Sequence, residues 1–554
     1  MERTLDNFVG QLLGVNAAPL NCPAWPPDLF AVCGTILHFT GGYLKLATIG
    51  DTYELLDENW IDQVRNRSAV WRESLEDQFG AQVSGEGPFD FESLEVPAFV
   101  DKLWQAILEI KDTTVADLFA DISDEKQCKG LQAVLQLAAL SDETSGGIGI
   151  STDDFFLLAA EVLCDQNNRS SYSSNVVFPA AVVLPKQHTP QRGFTLRSLT
   201  HNLSLHLSPD VFVVWRLLEI EKSPELLNVL LIPWPFEISS SSFEYLDELG
   251  AEIADGFSYF SFVPDGIKKT ELECIRVFEE GIEAAQASVG KIHMVVFPEL
   301  ALSESLYKKI ESSALEKGII LVAGVGEASE GDNVPRNQCR VQTAGLLELE
   351  KELNNDDTIR DAYRVVQDKH HRWCLDRDQI LQYGLGGRLP ASQQCWEYID
   401  VSDRSLTFVT MSDWLTLCFL VCEDLARQDP AAGILRSVGP NLVIALLMDG
   451  PQLEKRWSAK YASVLAEDPG SSVLTVTSLG LCKRSSEQLG LEEPNQTIGC
   501  WRDSVHGLKE LKLPKDKNLC VLSLVKSSVQ EHSLDGRGDY FSAHTPVFAG
   551  VKYL

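Results

Sequence analysis

Three residues at the ends of apolar segments carry groups that complement one another. Cys422 closes Phe419-Leu420-Val421 and is followed by Glu423-Asp424-Leu425. Glu299 comes after residues 294–297 and Pro298, and Lys369 after residues 363–367 and Asp368. A thiol is a nucleophile once it loses its proton, a carboxylate takes that proton, and an ammonium stabilises the oxyanion that forms when a carbonyl is attacked. Together at one end of a sheet they make a complete set for acyl transfer. Singly, each is ordinary. Cysteine is among the most buried residue types, an acid after a strand suits a helix start, and lysine is usually solvated. What points to a site is their joint occurrence, in the order Glu, Lys, Cys, each behind an expected strand.

The run before Cys422 reads as a buried strand ending in a sharp turn, with a helix beginning beyond it. Such an elbow presents the sulfur, aims backbone N–H groups at the same point and favours the thiolate. From Leu226 onward the texture is alternating strand and helix. A strand at 227–232 precedes a helix at 270–289 with Leu272, Ile275, Phe278 and Ile282 on one side. Strands at 292–297 and 319–325 flank a helix at 303–317. Further strands are expected at 363–367, 406–410, 415–421, 442–447, 473–476, 519–525 and 547–551. This alternation means an α/β layer architecture. Acids crowd residues 347–361, which read as a solvated surface insertion.

Residues 1–165 are patterned as helices, with a break at Gly146-Gly147-Ile148-Gly149 and an N-cap at Ser151-Thr152-Asp153. Residues 165–174 read as a polar loop and 176–184 as a strand. The shift in texture divides the chain into an accessory region, 1–225, and a catalytic domain, 226–554. The first region carries no catalytic signature, and no GxxxxGK[ST] phosphate loop occurs anywhere.

Composition narrows the classes. The chain has 554 residues and is 44% hydrophobic, enough for two or more folded cores. Its 80 acids against 47 basic residues give a net charge of −33, which argues against binding nucleic acid or anionic lipid. The 13 scattered cysteines contain no CxxC pair, as expected of reduced thiols in a cytoplasmic protein. The N-terminus lacks the basic and apolar blocks of a signal peptide, and no run of 18 apolar residues suggests a membrane span.

Phe297-Pro298-Glu299-Leu300, Lys369-His370-His371 and Val421-Cys422-Glu423-Asp424 together resemble the nitrilase, or carbon–nitrogen hydrolase, superfamily. Lys369 lies 70 positions after Glu299 (369 − 299) and Cys422 lies 53 after Lys369 (422 − 369). Residues 441–449, 456–462 and 472–480 resemble the strand, helix and strand that follow the family's cysteine, so the resemblance covers about 226–554. It implies an αββα sandwich and hydrolysis of a non-peptide amide or nitrile through a thioester on Cys422. Glu299 is then the general base, and Lys369 with the backbone N–H of Glu423 stabilises the oxyanion. The second carboxylate common in the family falls near Asp376 or Asp378. No cofactor or metal is implied, and the adjacent His370 and His371 point apart on a strand. Self-association and a small-molecule amide or nitrile substrate are implied, and a protein partner for the N-terminal region is the further expectation. Trp373-Cys374 resembles the aliphatic amidase branch. The hydrolase part also resembles nitrilase modules fused to bacterial reverse transcriptases in phage defence, although Tyr-x-Asp-Asp is missing. The alternatives are a nitrilase-fold binding module that has lost catalysis, or an effector gated by its N-terminal region.

Overall fold

The computed structural model describes residues 4–13, 20–47, 55–83, 93–151, 153–169, 181–207, 211–218, 224–246, 257–263, 267–327, 334–344, 362–538 and 543–554. The chain divides into two compact units. The first comprises Met1–Leu217, Gly433–Pro440 and Ser528–His544; the second comprises Leu218–Ala432, Asn441–Ser527 and Thr545–Leu554. The first unit therefore starts as the expected accessory region and also takes in two segments from far downstream.

The first unit is built around helix Glu125–Thr144, against which Pro26–Thr40, Trp60–Val83 and Ala98–Leu108 pack. Asp124 caps it by accepting the backbone N–H groups of Lys126 and Gln127 at 3.1 and 3.0 Å. Pro26–Thr40 begins on its own prolines and stops at Gly41, whose φ of 64° is the left-handed conformation glycine tolerates. The helix Asp154–Arg169 overruns the polar stretch expected to be loop at 165–169, because polar residues do not by themselves interrupt a helix. Residues 170–174 and Thr152 lie outside the described residues. The expected strand at 176–184 is described from Ala181, where Ala181–Pro185 pairs antiparallel with Leu203–Leu207.

This unit encloses a buried ionic network. The Arg537 guanidinium meets Asp535 and Glu143 at 2.8 Å each and Asp142 at 3.2 Å. Asp142 also accepts the backbone N–H groups of His201, Asn202 and Leu203 at 2.8–2.9 Å. Glu531 accepts the Thr189 N–H at 2.6 Å and pairs with His188 at 3.0 Å. The downstream segment is thus held by charge-assisted bonds that satisfy groups buried from water.

The second unit contains two larger sheets. The first runs in the order Ala362–Asp368, Arg336–Ala344, Ile320–Glu327, Met294–Val296, Leu226–Leu231, Cys520–Val529 and Ala543–Tyr553. Within this unit the second runs Gly507–Lys512, Thr497–Asp503, Ser472–Thr477, Leu442–Leu447, Leu415–Val421 and Ser405–Ser412. Each has three adjacent parallel strands: Leu226–Leu231, Met294–Val296 and Ile320–Glu327 in one, and Leu415–Val421, Leu442–Leu447 and Ser472–Thr477 in the other. The last three are buried along their whole length, as strands covered on both faces must be.

Helices Ile267–Val289 and Glu304–Glu316 cover the first sheet, and Trp457–Glu467 lies on the second. The sheets meet through Ala362–Asp368, Arg336–Ala344, Ser405–Ser412 and Leu415–Val421. Gln367 ties them by accepting the Thr407 N–H at 3.0 Å and donating to the Ser405 carbonyl. This is the αββα layering.

One position of an expected face was misread. Leu272 is 79% exposed, whereas Phe278 and Ile282 are buried as expected and Ile275 packs against the same cluster, with Cys274 and Ala285 completing the stripe of Ile267–Val289. The acidic stretch 347–361 lies outside the described residues, and its flanking strands pair antiparallel from Ala344↔Ala362. A small third sheet joins Cys374–Leu375, Gln394–Glu397, Phe257–Phe262 and Phe243–Leu246. No helix among the described residues is long and apolar enough to cross a membrane.

Candidate active site

The three sequence-nominated groups are all in the second unit, at the ends of strands. Cys422 follows Leu415–Val421 and has φ 48°, a left-handed conformation unusual outside glycine. The chain leaves it as a 3-10 turn, Cys422–Leu425, and not as an α-helix. The helix expected behind the elbow is therefore absent at this point, and with it the macrodipole that would favour a resting thiolate. Burial instead pushes the Cys422 thiol well above its ordinary range, and Glu299 adds to the rise. Lys369 and a hydrogen bond from the Met448 backbone act in the opposite direction. The balance of these influences favours the protonated thiol.

Glu299 sits in a turn after Met294–Val296, the middle parallel strand of its sheet. The next residue, Leu300, also has positive φ, 51°. Gly324 makes this turn possible. A β-carbon there would fall 2.3 Å from the Pro298 carbonyl oxygen and 2.5 Å from Glu299 Cα. Only a residue without a side chain lets the strand and the Glu299 turn approach so closely.

Lys369 ends Ala362–Asp368, the edge strand of that sheet. Its Nζ donates to Glu299 Oε1 at 2.8 Å and to Glu397 Oε2 at 2.6 Å. Cys422, Glu299 and Lys369 are only 2%, 3% and 1% exposed. A buried ammonium needs such partners. Burial works against its charge, but Glu299, Glu397 and Cys422 outweigh it and hold its pKa well above the ordinary lysine value. Burial raises the Glu299 carboxyl; Lys369 pulls it back and Glu397 raises it further. A carboxyl with heightened proton affinity beside a thiol is suited to general base work.

The second carboxylate at Lys369 is Glu397, and sequence reasoning missed it. Asp376 and Asp378 do not reach the lysine. Asp376 caps helix Arg377–Gln382, accepting the Gln379 N–H at 2.8 Å, and Asp378 is exposed in its first turn. Glu397 carries the signature that nominated Glu299, an acid closing a strand, but the strand is the four-residue Gln394–Glu397, 28 positions past the lysine. It accepts the Trp373 N–H at 3.0 Å as well. Asn337, also missed, donates to Glu299 Oε1 at 2.7 Å and Glu397 Oε1 at 2.8 Å. The Glu423 side chain turns to Arg427 at 2.7 Å, and only its backbone belongs to the elbow.

The surroundings are tied together by hydrogen bonds and apolar packing. Asp449, next to Met448, accepts from Tyr383 Oη at 2.7 Å and from its neighbour's Gly450 N–H at 2.8 Å, and pairs with Arg456. Leu300, Trp373, Tyr383 and Met448 belong to one apolar cluster with Phe243 and Phe260 from the small sheet. Leu300 also lines a cavity of about 380 Å³ with Trp234, Phe236, Phe262, Leu302 and Lys483. His370 bonds the Ser405 carbonyl at 2.7 Å and His371 bonds Asp424 at 2.9 Å. Among the described residues no group of three or more His, Cys, Asp or Glu is arranged to hold a metal ion.

No protein-family model and no curated protein matches the chain. Among solved structures it is similar to Nit3 of Saccharomyces cerevisiae, a member of branch 10 of the nitrilase superfamily. The identity is 12%, the match covers 54% of this chain and 90% of that one, and the TM-score is 0.32. It is also similar to a carbon–nitrogen hydrolase from Helicobacter pylori G27, at 12% identity over 58% of this chain and 89% of that one, TM-score 0.31. An amidase from Nesterenkonia sp. matches at 12% identity over 54% and 90%, TM-score 0.29.

Proposed function

We propose that the protein is a thiol hydrolase that cleaves a non-peptide carbon–nitrogen bond, in an amide or a nitrile, through a thioester on Cys422. The observation that carries this reading is the pairing of Lys369 with Glu299 at 2.8 Å, beside a buried cysteine whose proton affinity both of them alter. Lone buried cysteines have no need of such company.

For an amide, Glu299 takes the thiol proton as sulfur attacks the carbonyl carbon. The new S–C bond pushes the carbonyl electrons onto oxygen, where Lys369 and the Glu423 backbone N–H offset the charge. Collapse of the tetrahedral species breaks the C–N bond, and protonated Glu299 returns its proton to the departing amine. Water, deprotonated by Glu299, then attacks the thioester and releases the acid. Glu299 Oε2 is the atom free for these transfers, since it is buried without a hydrogen-bond partner while Oε1 already accepts two bonds. Glu397 remains as the counter-charge of Lys369 while Glu299 carries the proton. No step calls for a cofactor.

The unit that begins Met1–Leu217 has its own packed helices, which supports a regulatory or partner-binding role for it. Self-association of the hydrolase part and a cytoplasmic setting, consistent with twelve free cysteines among the described residues, complete the reading.

The test is ammonia release from a panel of short primary amides and nitriles by the full chain. Turnover that Cys422→Ala abolishes supports the reading. Turnover unchanged in Cys422→Ala overturns it, and no turnover together with an unreactive Cys422 favours the binding module.

A further inference from the structure

Resting on the hydrolase reading, we infer that Asn337 is a positioning residue: it fixes which oxygen of Glu299 serves as the base. Asn337 lies on Arg336–Ala344, between Ile320–Glu327, whose Gly324 packs against the Glu299 turn, and Ala362–Asp368, which Lys369 follows. Its Nδ2 donates one proton to Glu299 Oε1 and the other to Glu397 Oε1, at 2.7 and 2.8 Å. Its backbone carbonyl accepts the Lys369 N–H at 2.9 Å. One residue therefore touches the base, the second carboxylate and the lysine.

The amide can face this way only. Turned over, its carbonyl oxygen would stand against two carboxylate oxygens, and a buried acceptor pair without a donor is costly. In the observed orientation Asn337 leaves its own Oδ1 buried and unpartnered. The residue thus forgoes one of its own hydrogen bonds and keeps two to the carboxylates.

The consequence for Glu299 is geometric. Oε1 is held from two directions, by Lys369 and Asn337, which stops the carboxyl from rotating. Oε2 is left bare in the interior, ready for a proton. A lysine alone, on a flexible four-carbon stem, fixes a point but not a plane; the second donor fixes the plane. Asn337 also bonds the charged form of Glu299, so it lowers the proton affinity that burial raises.

The experiment needs no knowledge of the substrate. The second-order rate constant for alkylation of Cys422 by iodoacetamide is measured by peptide mass spectrometry across pH, in the full chain. The readout is the acid limb, where the thiol–carboxylate pair takes up its second proton. Asn337→Ala is expected to move this limb to higher pH and to slow Cys422 alkylation below it by about 10- to 100-fold, the range for losing a hydrogen bond to a charged group. Asn337→Ser, which keeps one donor, is expected to move the limb part of the way, and it supplies the readout if the alanine variant does not fold. Slower alkylation with the limb unmoved means a structural role only and overturns the inference, as does an unchanged profile. Should the wild-type limb survive Glu299→Gln, the hydrolase reading itself fails, independently of Asn337.

Discussion

Asp424 Oδ2 lies 3.0 Å from the backbone nitrogen of His370, so the turn that carries Cys422 is bonded directly to the residue after Lys369. The other oxygen of the same carboxylate accepts from His371 Nδ1 at 2.9 Å. Two strand ends in different sheets are joined by one buried acid. Asp424→Ala should cost about 1.5–3 kcal/mol of stability, the range for hydrogen bonds to a charged group, and should slow the reaction of Cys422. Asp424→Asn keeps the shape and should lose less. Urea unfolding together with the alkylation rate checks this; unchanged values in both would mean that Asp424 does not couple the two strand ends.

Lys369 should matter to the fold as well as to the chemistry. Removing it leaves Glu299 and Glu397 facing each other in the interior without a counter-charge. Lys369→Ala should destabilise by roughly 3–5 kcal/mol, the range for breaking a buried pair. Replacing Glu397 by Gln in the same chain should recover part of that loss. Thermal denaturation of the single and double variants measures the recovery, and a double variant no better than the single would count against like-charge repulsion as the cause.

The raised pKa of Glu299 gives a pH dependence of definite sign. A folded-state pKa above the unfolded value of about 4.5 means that the folded protein holds this proton more tightly. Its contribution to stability is therefore fully present below pH 4.5 and declines as pH rises through the folded pKa. Glu299→Gln should remove that decline. Stability of both proteins measured across this window tests it, and parallel curves would show that Glu299 titrates normally.

In the first unit, Arg537→Ala would strand Asp142, Asp535 and Glu143. A loss of roughly 3–5 kcal/mol is expected from the uncompensated buried charge. Chemical denaturation followed by tryptophan fluorescence reports it through Trp60, whose Nε1 donates to Asp535.

What the sequence disclosed follows what is local. Apolar runs such as 415–421 and 442–447 announce buried parallel strands, because both faces are covered and every position but Thr416 is apolar. The three strand-end residues were legible for the same reason. Glu397 and Asn337 were not, since Gln394–Glu397 is short and Arg336–Ala344 alternates polar residues whose partners lie far along the chain. Leu272 on Ile267–Val289 shows a limit of periodicity: it has helical spacing to Ile275 and Phe278, yet it is exposed while Cys274 is buried. The capture of residues 528–544 by the first unit was equally hidden, because Glu531, Asp535 and Arg537 look like solvated charges until their partners at Asp142, Glu143 and His188 are brought beside them.

Leu300 follows Glu299 directly and lines the cavity of about 380 Å³. Leu300→Ala should raise the rate of Cys422 alkylation severalfold with little change at Cys128, which is partly exposed elsewhere. Equal changes at both cysteines would point to general loosening instead.

The central claim is that Cys422 reacts because Glu299 takes its proton. The most direct measurement is mass spectrometry of the full chain after brief exposure to iodoacetamide, with the modified peptide mapped. Expected is a single acetamide adduct on Cys422, absent in Cys422→Ala and strongly slowed in Glu299→Gln. An adduct that forms on Cys422 at the wild-type rate in Glu299→Gln, or that forms on other cysteines while Cys422 stays free, would contradict it.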